Sequence, residues 1–279
     1  MKKFVCVAAA FCLCARIFAA PEKAPFALHS VADGVIFGAA LSFTAAAVIT
    51  EKTADFPEWT ERSYDFDSIN YIDRKLSRKY SKSLDNWGTV TCAVNLILPA
   101  AVYGAGYFND ALNSQDVLTL AVMYAEAYLL DYGAKNFLKM GIRRIRPYMY
   151  YDGYPEDELD NHDFEFSMPS GHSTDSFLGA GFLTYTFCRY FPDSKWKVPV
   201  IAASYSVAVA TAVLRISSGN HFLTDTLFGA VLGTVCGIGV PLVHEFIASR
   251  SDKKTETALR KGDVQFKVTP VSFSVCFVL

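Results

Sequence analysis

The chain has 279 residues, 52% of them hydrophobic and 14% aromatic, with 26 Lys and Arg against 28 Asp and Glu, a formal net charge of −2 and a mean hydropathy of +0.21. Charge so nearly balanced leaves no basic field for a nucleic acid, and no nucleic-acid motif is present. The seven cysteines form neither a disulfide framework nor a metal-ligand spacing: Cys6, Cys12 and Cys14 fall in the leader, and Cys92, Cys188, Cys236 and Cys276 stand alone among apolar residues.

Met1-Lys2-Lys3 followed by an apolar run from Phe4 to Ala20 reads as a signal peptide or signal-anchor over residues 1–20, with the small Ala19 and Ala20 suited to cleavage. Residues 21–250 then read as one helical domain, and 251–279 as a tail. Six apolar segments fill the domain: Leu28–Thr50, Trp87–Tyr107, Val117–Leu138, Thr174–Phe191, Val198–Ile216 and Phe222–Ile247. Each is about long enough to approach or cross a bilayer core, and each is rich in the small residues that let helices approach closely in lipid. The expectation is an all-α six-helix bundle embedded in a membrane; a soluble or monotopic periplasmic bundle is the alternative. Asp33, Glu126 and Asp131 inside these segments are costly facing lipid, so they should face the bundle or a polar cavity.

Between the first two segments, Ile69, Ile72, Leu76, Tyr80 and Leu84 recur at near-helical spacing, which predicts an amphipathic surface helix. The loop Tyr148–Met168 is acidic and aromatic, with no Lys or Arg. It could clamp a divalent cation with His162, but its carboxylates follow no calcium-loop pattern, and a solvated lid is the expectation. In the tail, Val264, Phe266 and Val268 alternate with polar residues and Phe273–Phe277 continues the trend, a strand-like pattern interrupted by Pro270 that is read as a short strand pair or an ordered tail.

Three polar clusters interrupt this apolar chain. Ser167-Met168-Pro169-Ser170-Gly171-His172 opens a helix, where free N–H groups and the positive dipole end form an anion site. Lys139 to Arg146-Pro147 lies just past the third segment, and Arg215, His221 and Asp225 span the junction of the fifth and sixth. Each alone is an ordinary cap or turn. With antiparallel neighbours, all three emerge at one end of the bundle. Lys139, Arg146 and Arg215 would then supply three charges matched to phosphate oxygens, with Ser170 and Gly171 adding neutral donors. His221 and Asp225, four apart, share a helix face, so the carboxylate could hold one ring nitrogen protonated and leave the other to attack phosphorus. His172 would protonate the leaving oxygen and later activate water.

These clusters resemble the motifs of the type 2 phosphatidic acid phosphatase / vanadium haloperoxidase superfamily. Lys139-Met140-Gly141-Ile142-Arg143-Arg144-Ile145-Arg146-Pro147 matches its Lys, six residues, Arg-Pro; Pro169-Ser170-Gly171-His172 matches its second motif; Arg215, His221 and Asp225 match its third, with Leu214 where the family usually has Ser. The resemblance covers roughly residues 86–243. It implies a helical phosphatase without metal or cofactor, catalytic His221, His172 and Asp225, and phosphate held by Lys139, Arg146, Ser170, Gly171 and Arg215. Arg143 and Arg144 fall outside the motif and are not expected to be catalytic. The substrate would be a lipid phosphate or diphosphate in contact with membrane lipids, with no obligate protein partner. A soluble periplasmic acid phosphatase, a vanadate haloperoxidase and a non-catalytic lipid-phosphate binder are the alternatives. The resemblance places the protein in a bacterial-type cell envelope with its site facing the periplasm, whereas counting six crossings from the leader would place that end inside.

Overall fold

The computed structural model describes residues 24–55, 64–155, 159, 162–261, 265–269 and 272–276. The leader expected over residues 1–20 lies outside them. Seven α-helices occur among the described residues: α1 (Ser30–Thr53), α2 (Tyr71–Leu76), α3 (Lys82–Phe108), α4 (Ser114–Ile142), α5 (Gly171–Tyr190), α6 (Lys197–Ser217) and α7 (Leu223–Lys261). The six long ones stand where the six apolar segments lie. The last of them continues past residue 250, and an antiparallel strand pair follows, β1 (Gln265–Thr269) with β2 (Ser272–Cys276), in which Phe266 is opposite Val275 and Val268 opposite Phe273.

The seventh helix corrects the expectation for the stretch before α3. No continuous amphipathic helix runs through Tyr80 and Leu84. Asn70 caps a six-residue α2, accepting the Asp73 N–H at 3.0 Å, and the chain leaves helical geometry at Ser77. From there the backbone bonds elsewhere: Tyr151 Oη donates to the Ser77 carbonyl at 3.2 Å, and the Ser81 N–H donates to Ser218 at 3.0 Å. Tertiary partners outside the stretch therefore outweigh the local periodicity, and Leu84 belongs to α3.

Helix α5 is the axis of the bundle, packed against α7, α3 and α6, with Leu178, Phe182, Leu183, Phe187 and Tyr190 all buried. Helix α7 can lie against it because Gly229, Gly233 and Gly237 recur every fourth residue on the facing side, where added Cβ atoms would run into Ser170, Thr174 and Leu178 backbone. This close approach also sets the position of the first turn of α5.

Helices α1, α3 and α6, and α7 through Arg250, are long and apolar enough to cross a membrane. Their outward faces are greasy: Val35, Ile97 and Val231 are 66%, 62% and 66% exposed. A water-soluble bundle rarely leaves so much apolar surface open, so the bundle reads as membrane-embedded. Helices α4 and α5 fall outside that set because they carry the interior polar groups. Asp33, Glu126 and Asp131 all face inward, as their cost in lipid requires. His244 Nε2 meets Glu126 at 2.6 Å and Nδ1 meets Asp33 at 3.4 Å, while Lys135 pairs with Asp175 and lies 3.9 Å from Asp131.

Candidate active site

All three clusters lie at one end of the bundle, where α4 ends, α5 begins and the α6–α7 turn passes beside the start of α3. Ser170 is the N-cap of α5 and is fully buried, yet its hydroxyl has no hydrogen-bond partner. A buried orphan donor beside a helix N-terminus is poised for an absent acceptor. The next residue carries no side chain: a Cβ on Gly171 would stand 3.9 Å from Lys139 Nζ, which lies over this turn. Burial and the like charge of Arg146 push the Lys139 ammonium down to about 8.

Arg215 comes from the last turn of α6 and is 3% exposed. It lies flat against α3, where Gly88 leaves room; a Cβ there would be 3.0 Å from the Arg215 Cδ. Its Nη1 pairs with Asp85, while its Nε has no partner. Arg146 is also buried. It donates from Nε to the Asp163 carbonyl at 2.9 Å and from Nη1 to Asn220 Oδ1 at 3.0 Å, and it pairs with the Asp163 carboxylate. The two guanidinium groups are thus turned toward carboxylates, Asp85 and Asp163, that a phosphate could replace. Leu214, at the position of the family's Ser, packs near Gly88, 3.6 Å from the place of its Cβ.

Both imidazoles sit within the field of these cations. Burial, then Arg146, Arg215 and Lys139, hold His221 well below the usual histidine range. Its Nδ1 is 2.7 Å from the Ser167 carbonyl. A carbonyl only accepts, so Nδ1 carries the proton and Nε2 keeps its lone pair. His172 is pushed down to about 3 by burial and by Arg215, Arg146 and Lys139, with Asp85 opposing. Its Nε2 lies 3.1 Å from the Thr89 hydroxyl, which itself donates to the Asp85 carbonyl at 3.2 Å.

A bound phosphate dianion reverses the field at His172 and raises its pKa, so the imidazole takes up a proton on binding, superposed on the ionisation of the phosphate itself and of Lys139. Calorimetric titration of inorganic phosphate in buffers of different ionisation enthalpy should resolve that uptake as the difference between the wild-type protein and His172→Gln. His172→Gln should lower that uptake by up to about one proton. Equal uptake in the two proteins would remove His172 from the phosphate's neighbourhood.

One sequence expectation needs correction. Asp225 is not hydrogen-bonded to His221. Its Oδ2 accepts from the Ser167 hydroxyl at 2.5 Å and the Phe222 N–H at 2.8 Å, and its Oδ1 accepts from Arg144 at 2.5 Å. The helical four-residue spacing does not apply, because His221 precedes the first residue of α7 and Asp225 folds back to cap that helix. Asp225 therefore reaches the imidazole through Ser167. Among the described residues of the acidic loop, Asp163 pairs with Arg146 and Glu165 with Arg143. Asp85 and Thr89, both from the start of α3, and Asn220, from the α6–α7 turn, are site neighbours that no motif signalled.

Comparison with known proteins agrees with the motifs. Residues 117–248 match the PAP2 superfamily model. Phosphatidylglycerophosphatase B of Bacillus subtilis is 32% identical over 143 residues, half of this chain and 64% of that one. Diacylglycerol pyrophosphate phosphatase 1 of Saccharomyces cerevisiae is 29% identical over 123 residues, 36% of this chain and 43% of that one. The chain thus spans less than two thirds of the length of these relatives. A crystal structure of a transmembrane PAP2-type phosphatidylglycerolphosphate phosphatase from Bacillus subtilis aligns with 80% of this chain and 96% of its own, at 21% identity and a TM-score of 0.43. The stretch that matches the PAP2 superfamily model, residues 117–248, carries all three clusters.

Proposed function

We propose that this protein is a phosphatase that removes phosphate from a lipid phosphate or diphosphate by way of a phosphohistidine on His221. The observation that carries the reading is the pocket itself. Three cations, an unpartnered Ser170 hydroxyl and an unpartnered Arg215 Nε surround two neutral imidazoles at the mouth of an apolar bundle.

The neutral His221 Nε2 attacks phosphorus. An N–P bond forms, the P–O bond to the alcohol or phosphate leaving group breaks, and the leaving oxygen takes a proton from His172, whose charged form the incoming phosphate favours. Lys139, Arg146, Arg215, Ser170 and the α5 amides hold the three equatorial oxygens, on which charge grows in the transition state. Water, deprotonated by His172, then attacks phosphorus from the opposite side; the N–P bond breaks and phosphate leaves. The Ser167 carbonyl steadies the Nδ1–H while the ring is a phospho-imidazolium.

Lipid is favoured over soluble esters by the four apolar helices and by the relatives, which are named for lipid phosphates. An apolar cavity of about 430 Å³, lined by Leu96, Pro99, Tyr103, Leu120, Tyr124 and Phe182, offers room for an acyl chain deeper in the bundle. The mouth of the pocket is assigned to the periplasmic face of the cell envelope. In detergent micelles the purified protein should release phosphate from phosphatidic acid or diacylglycerol diphosphate at least about tenfold faster, as kcat/KM, than from p-nitrophenyl phosphate. Equal rates would favour a non-specific acid phosphatase, and tight binding without release would make the protein a binder only.

A further inference from the structure

Outside the three motifs, the short helix α2 delivers one side chain into the interior. Asp73 is fully buried, although its helix lies at the edge of the molecule. Its Oδ1 accepts the Thr224 N–H at 3.0 Å. Its Oδ2 accepts the Thr224 hydroxyl at 2.6 Å, Asn70 Nδ2 at 2.5 Å and Arg144 Nη2 at 2.7 Å. Thr224 belongs to the first turn of α7, so a carboxylate from a distant element caps that helix and meets its positive end. Burial opposes the charge of Asp73, but the bonds from Thr224 and Arg144 outweigh it and keep the carboxyl below its ordinary range.

Arg144 is held by both arms of its fork and by one face. One arm of its fork reaches Asp73, the other reaches Asp225 and the Thr224 hydroxyl at 2.6 Å, and the guanidinium plane lies 4.3 Å from the centre of the Phe222 ring. A planar fork between two buried carboxylates has one low-energy orientation. Asp225 in turn grips the Ser167 hydroxyl, and the Ser167 carbonyl holds His221 Nδ1. The connection runs unbroken: Asp73, Arg144, Asp225, Ser167, His221.

We propose that Asp73 and Arg144 are positioning residues for His221. They lock Asp225 and Ser167 so that the imidazole presents Nε2 to the phosphate. The proposal rests on the phosphatase reading and deepens it. Arg144 is one of the six intervening residues that the first motif leaves open, and Asp73 sits 66 residues before the nearest motif residue, Lys139. Neither touches the phosphate cations. Their loss should therefore slow phosphoryl transfer while leaving phosphate affinity alone.

The test uses Asp73→Asn and Arg144→Lys in the full-length protein in detergent. Vanadate titration counts intact sites, and turnover is expressed per site. Asp73→Asn should lower kcat per site at least tenfold, with KM and vanadate affinity within threefold of wild type and slower phosphoenzyme formation. Arg144→Lys keeps the charge but loses the fork, and should retain more activity than Arg144→Gln. Turnover per site within twofold of wild type in Asp73→Asn would overturn the proposal. So would equal losses in KM and vanadate affinity. If Asp73→Asn yields no titratable sites, wild-type turnover per site in Arg144→Lys and Arg144→Gln overturns it instead. Wild-type protein without turnover would overturn the phosphatase reading, a different outcome from variants that match an active wild type.

Discussion

Replacing His221 with alanine should abolish turnover, lowering kcat by at least about 10³-fold, and should remove phosphoenzyme from quenched reactions. The effect is expected to be this large because nothing nearby can stand in. His172 is engaged with Thr89 and is assigned to the leaving-group side. The fold should tolerate the change: His221 Nδ1 has one partner, the Ser167 carbonyl, and the backbone N–H of residue 221 keeps its bond to Arg215 at 3.2 Å. Phosphate affinity should change little, because Lys139, Arg146, Arg215 and Ser170 remain. Loss of phosphate binding together with turnover would mean that the substitution had disrupted the pocket rather than removed a nucleophile. Single-turnover kinetics with phosphate titration separate the two.

Replacing Gly233 with alanine should be the most damaging small change to the fold. The added Cβ would land on the Thr174 carbonyl, 2.8 Å from Leu178 N and 2.9 Å from the Thr174 carbonyl carbon. These are backbone atoms of α5, so no side chain can swing away; α5 and α7 must separate. Ordinary overpacking costs about 1–3 kcal/mol, and a backbone obstacle should cost at least the upper end. Because Thr174 lies two residues from His172, any separation also carries the first turn of α5 away from Arg215. Gly239→Ala is the control. A Cβ there meets nothing within 4 Å, and the protein should keep its wild-type midpoint within the error of thermal unfolding in detergent. A wild-type midpoint for Gly233→Ala would refute the close packing described for these helices.

Much of this arrangement was legible from periodicity and motif. The six long helices begin and end within a few residues of their apolar segments, apart from α7, whose continuation to Lys261 is polar and carries no hydropathy signal. The eight expected site residues meet at one bundle end because antiparallel packing of successive helices leaves few alternatives. What stayed hidden depends on distant contact. Spacing alone pairs His221 with Asp225, but the chain turns at Gly219, where φ is +77° and a Cβ would strike Arg78 and Lys79 backbone, so helix geometry does not yet hold at residue 221. The amphipathic stretch around Leu76 has helical period, yet its backbone is claimed by Ser218 and Tyr151 from other elements. Asp73 and Arg144 look like ordinary surface charges until the fold buries Asp73 and joins the half-buried Arg144 to it.

The decisive measurement is the chemical address of the trapped phosphate. Protein quenched during turnover of a lipid phosphate and digested under alkaline conditions should yield one phosphorylated peptide by mass spectrometry. Its acid-labile phosphate should lie on residue 221. Phosphate on residue 172 instead, or turnover at the full rate with no phosphopeptide at any time point, would contradict the account.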